Sequence, residues 1–124
     1  MDSPLQDGTA HDFDADDRRS QLQRFSGAAS LLAALFREHN QQWWASEYRR
    51  VADAAQWLLS GEGSHDDLRW VASELPKGPV WIDPRVAHYY GLRREAWHGE
   101  VARWQAEAER VALELRSRGV REAP

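Results

Sequence analysis

The sequence predicts an all-α fold, a compact helical bundle of about four helices with an extended Pro-rich connection near residues 76–84. Three observations carry that reading. Apolar residues recur at steps of three and four over long stretches. All seven tryptophans lie between Trp43 and Trp104, and three of the five prolines fall within residues 76–84. The absence of cysteine leaves no disulfide, thiolate metal site or cysteine nucleophile. So much indole must therefore either fill a helical core or form a binding surface.

At 124 residues, with 42% hydrophobic and 29% charged side chains, the chain is sized and composed for one soluble globular domain. The first residues carry no basic or strongly apolar region of a secretory signal, and the apolar run at 28–36 is too short for a bilayer. These features point to a cytoplasmic protein. Net charge is −4, but Asp2, Asp7, Asp12, Asp14, Asp16 and Asp17 place six of the 20 acids before Arg18. That leaves 14 acids against 16 bases, a remainder of +2. The acidity belongs to an N-terminal tail, residues 1–17, whose only apolar candidates for burial are Leu5 and Phe13. Such a segment is expected to be flexible, ahead of a single domain over 18–124.

In the first helix, expected over about 18–39, Leu22, Phe25, Ala29, Leu32 and Phe36 share one stripe, widened by Ala28, Leu31 and Leu35. The aspartates ahead of it suit the positive end of the helix dipole. Gly27 among small residues suggests a close neighbour, and His39-Asn40 a left-handed stop. The second helix, about 42–60, aligns Trp44, Tyr48, Val51, Ala55 and Leu58, with Trp43 and Trp57 on its flank. A helix apolar around so much of its girth is either central or open to a partner. Ser64 with Asp67 reads as a variant capping box for a short helix ending before Pro76, with Leu68, Val71, Ala72 and Leu75 inward. The segment 76–84 is expected to be extended and tacked down by Val80, Trp81 and Ile82. Asp83-Pro84 then caps a short turn that Gly91 breaks. From 92 to about 118, Trp97, Val101, Trp104, Ala108, Val111 and Leu115 alternate spacings of four and three, the seam of a packed helix.

Chemistry is sparser. Trp44, Trp97 and Trp104 read as core, whereas Trp43, Trp57, Trp70 and Trp81 sit off the seams and, with Tyr89 and Tyr90 nearby, form the candidate partner-binding set. His65, Asp66 and Asp67 are consecutive, a spacing better suited to first-turn acids than to one ion, and the histidines lack zinc spacing. No metal or cofactor is therefore expected. The Gly61-Glu62-Gly63-Ser64 run lacks a P-loop lysine. Fifteen arginines against one lysine reflect GC-rich coding, and no face is obviously basic, so a nucleic-acid partner is disfavoured.

Arg93 and His98 stand in an Arg-x4-His spacing that resembles the ribonuclease motif of HEPN domains, with Arg94 where that family has Asn, Asp or His. The resemblance implies His98 as general acid/base and Arg93 as phosphate ligand. In outline the chain also resembles the small helical proteins of high-GC bacterial genomes, which implies no activity. The favoured expectation is a non-catalytic binding or regulatory module, of accessory or toxin-neutralising type. Its partner would be another protein or a second copy; the alternatives are a HEPN-like ribonuclease and a nucleic-acid-binding regulator.

Overall fold

A computed structural model describes residues 3–61 and 65–122, with side chains over 17–61 and 66–116. Every element among them is helical: α1 (Ser3–Glu38), α2 (Gln42–Leu59), α3 (His65–Ser73), a 3-10 turn (Val80–Ile82), α4 (Pro84–Tyr89) and α5 (Ala96–Glu122).

α1 begins at Ser3 rather than near Arg18. Pro4 suits a first helical turn, and no further proline interrupts the chain before residue 76. The first turn of α1 holds no acid, and Asp2 lies outside the described residues. The side chains of Leu5 and Phe13 lie outside the described residues. Leu22, Phe25, Ala29, Leu32 and Phe36 are all buried, four of them completely, and Ala28 joins them. Leu31 instead remains 43% exposed, and a Cβ built on Gly27 meets nothing within 4 Å. No helix approaches Gly27 closely, contrary to the sequence expectation. Asn40 adopts φ +62°; the Gln41 N–H bonds to the Phe36 carbonyl at 2.8 Å and the Asn40 N–H to that of Arg37. This left-handed stop satisfies carbonyls that the helix end would otherwise orphan.

α2 buries Ala45, Tyr48, Val51, Ala52, Ala55 and Leu58 and closes at Ser60, before Gly61 at φ +90°. α3 has Asp66 and Asp67 in its first turn and buries Leu68, Val71 and Ala72; Ser64 lies outside the described residues. The Pro-rich connection is extended except for its 3-10 turn, in which only Ile82 is buried and Val80 faces out. Asp83 caps α4 by accepting from the Arg85 N–H at 2.9 Å, with Pro84 in the first turn as expected. α5 starts at Ala96 rather than Leu92, because Gly91 at φ +65° and the following loop take the chain round first. The side chain of His98 then accepts the Glu95 N–H, a reversed cap at the helix start.

Packing sorts the core into two stacked halves. The first joins Leu22, Phe25 and Ala29 of α1 to Val51, Ala55 and Leu58 of α2, Leu68 and Val71 of α3, and Val111 and Leu115 of α5. The second joins Leu32 and Phe36 to Tyr48, Ile82, Val101 and Ala108. α1 therefore runs antiparallel to both α2 and α5, which are parallel to each other, and α1 is the long helix packed against both. α2 takes the second of its two expected roles, with one flank left open.

Candidate functional site

The second core half ends in a layer of rings. Phe36 stacks on Tyr48 with centroids 5.3 Å apart and on Trp44 at 6.2 Å, and meets Trp81 and Trp97 at 6.1 and 6.4 Å. Two imidazoles interleave with these indoles. His39, at the end of α1, lies flat on Trp97 at 4.1 Å, and His98 lies on Trp81 at 4.1 Å. Trp97 stands edge-on between Trp81 and His98, its indole N–H donating to Glu95 Oε2 at 2.7 Å. In this stack Trp81 is half-buried, tacking the connection to the bundle as expected, and it is less exposed than Trp43, Trp57 and Trp70. Trp44, Trp97 and Trp104 pack on the core as expected, but as a half-buried rim.

His98 is 8% exposed, and its Nδ1 accepts the Glu95 N–H at 3.2 Å, which leaves the ring proton on Nε2. Burial pulls its pKa below the ordinary 6.5; Glu95 opposes this, while Arg94 and His39 add to it. A neutral, capped, stacked imidazole is built for packing. Arg93 is exposed in the loop ahead of α5, and among the described residues no hydrogen bond joins it to His98.

A polar network missed by sequence reasoning lies beside the rings. The Tyr48 hydroxyl donates to Gln105 Oε1 at 2.5 Å, with the Pro76 carbonyl also within 3.3 Å. Gln105 Nε2 donates to Pro76 and to Glu109 Oε2, both at 2.8 Å. Burial, with the charge of Glu109, raises the Tyr48 pKa above its ordinary value. Gly78, at φ +79°, lets the backbone pass here, since a Cβ would overlap Ile82 and sit 2.9 Å from the Tyr48 hydroxyl. The signal was present: Gln105 follows Val101 by four residues and precedes Ala108 by three, on the buried face.

The outward aromatics are distributed. Trp43 (64% exposed) and Trp57 (49%) share the outer side of α2, fourteen residues and so about 21 Å apart. Arg50 lies midway between them, held by Glu47 and Glu74. Trp70 (53%) projects from α3, and Tyr89 (80%) and Tyr90 (66%) from the end of α4. The fold thus brings Trp43 and Trp57 to one helix face but gathers the set into no single patch. An open groove of about 930 Å³ between α1 and α2, floored by Ala33, Ala34, Ala45 and Ser46, offers no aromatic wall. Among the described residues no helix is long and apolar enough to cross a membrane. No family model matches the chain, and neither the curated proteins nor the solved structures yield a match.

Proposed function

We propose that this chain is a non-catalytic binding module that engages another protein, or a second copy of itself, through its outward aromatic side chains in the cytoplasm. The observation that supports the reading is the exposure, between 49% and 80%, of Trp43, Trp57, Trp70, Tyr89 and Tyr90 beside a fully packed core. Tryptophan and tyrosine are the side chains most enriched where partners dock. Covering one such indole returns roughly 2–4 kcal/mol of hydrophobic free energy before association costs. Trp43 and Trp57, on one helix face about four turns apart, match a partner helix lying along α2.

Light scattering over a wide concentration range tests the self-association arm, and capture from the native host by wild type against a W43A/W57A/W70A variant tests the other. The reading expects association or capture that the triple variant loses, with helicity unchanged. A strict monomer whose captured proteins are the same with and without the three indoles would refute it.

A further inference from the structure

We propose that the acidic N-terminal segment of one copy docks on the arginine–tyrosine surface of residues 85–94 of another, joining copies head to tail. This rests on the reading above, taking its partner to be a second copy.

The receiving surface is unusual for an acidic chain. Residues 84–94 contain Arg85, His88, Arg93 and Arg94 and no carboxylate. Arg24, Arg49, Arg50, Arg69 and Arg110 each reach a carboxylate within 4 Å, as Arg85 reaches Asp83; among the described residues Arg19, Arg37, Arg103 and Arg116 do not, but Arg19 is bonded to the Leu59 carbonyl and Arg103 lies over Trp104. Arg93 and Arg94, adjacent and exposed, have no carboxylate partner among the described residues. Beside them Tyr89 and Tyr90 stand edge to face at 5.0 Å, and Leu92 is 39% exposed. Two free guanidinium groups, two phenol hydroxyls and an apolar seat are complementary to a carboxylate-bearing segment with apolar side chains. The chain carries one: Asp2, Asp7, Asp12, Asp14, Asp16 and Asp17 precede its first base, interspersed with Leu5 and Phe13.

The geometry makes the contact intermolecular. The Leu22 end of α1 meets Leu115 of α5 and its Phe36 end meets Trp97, so α1 enters the bundle from the Leu115 end, opposite the 85–94 surface. From Arg18 to Glu38 α1 is about 30 Å long, and its continuation to Ser3 carries the segment further away. Each copy thus offers one donor and one acceptor site, unrelated by a two-fold axis, and the contact propagates into chains or rings. A single-stranded nucleic acid fits less well. Two free arginines give a log–log salt slope of only about −1.4, and the chain's charge of −4 repels phosphate. Exposed ion pairs are individually weak and screened, so the assembly is concentration-dependent and salt-labile.

Sedimentation velocity on full-length protein tests this with two variants: R93E/R94E, and one with Asp7, Asp12, Asp14 and Asp16 changed to Asn. Wild type is expected to sediment faster as concentration rises, and to revert to monomer in raised salt. Each variant alone stays monomeric, and the two mixed give a one-to-one complex and nothing larger, because each supplies the surface the other lacks. A wild type monomeric at every concentration overturns the proposal, as does association that both variants retain. If that retained association is lost in W43A/W57A/W70A, the binding-module reading stands while the head-to-tail contact falls. Binding of labelled oligouridylate that R93E/R94E abolishes, with no self-association, overturns it in favour of nucleic acid.

Discussion

At Tyr48 one hydroxyl supplies the only proton that Gln105 Oε1 receives among the described residues, and Gln105 in turn fastens the Pro76 carbonyl to α5. Tyr48→Phe keeps the ring but leaves a buried carbonyl oxygen without a donor, at a cost of about 1–3 kcal/mol. Urea unfolding is expected to show a lowered midpoint with an unchanged slope; an unmoved midpoint would remove the network from the account. His98 makes a second residue-level prediction. Its folded pKa lies below the 6.5 of the free imidazole, so in that window the unfolded chain binds the proton more readily. Its contribution is therefore fully present above the unfolded pKa and is lost as pH falls through the window. Protonation also removes the lone pair that accepts the Glu95 N–H. Stability should decline as pH falls below the 6.5 of the free imidazole. In His98→Gln, which keeps an acceptor at the same helical position, this part of the pH dependence should vanish.

Two glycines, one inside α1 and one in the extended connection, behave oppositely. Gly27 sits inside α1 facing open space, so Gly27→Ala should stabilise by roughly 0.5–1 kcal/mol through helix propensity alone. Gly78→Ala demands a left-handed backbone and a methyl group overlapping Ile82, and should destabilise by more than Gly27→Ala gains. Thermal unfolding of the pair reads the contrast, and shifts of the same sign would refute it. These positions also mark where sequence reading succeeded and failed. The stripe from Leu22 to Phe36 and the seam from Val101 to Leu115 were legible because burial of a helix face leaves a 3.6-residue period. The stops at Asn40 and Gly91 and the start at Asp83 were legible from backbone chemistry. The direction of Gly27 was not, because a missing side chain says nothing about where a neighbour lies. That Trp81 tacks the connection down was legible, but how far its ring turns inward was not, because a three-residue 3-10 turn in a Pro-rich stretch has no periodicity to reveal its inner side.

For the whole molecule, composition announced an excess of indole, and Trp43, Trp57 and Trp70 are indeed outward. Their distribution over two helices, and the pairing of His39 and His98 with Trp97 and Trp81, depend on how distant segments meet. Local spacing does not encode that. Charge is likewise divided between acids at one end of the chain and bare arginines near α4. The two stacked core halves are also closed differently. One is flanked by α3, packed on α5 and α2, whereas the other is closed by the connection anchored at Pro76 and Ile82, with α4 resting on its 3-10 turn. Amide exchange should consequently proceed in two tiers. Amides of α4 and the first turn of α5 should trade hydrogens for deuterium through a subglobal opening, while those around Phe25 and Val111 wait for complete unfolding. Opening of the connection would lift Trp81 off the His98 ring and bare that imidazole to water, while the half around Phe25 and Val111 stayed closed.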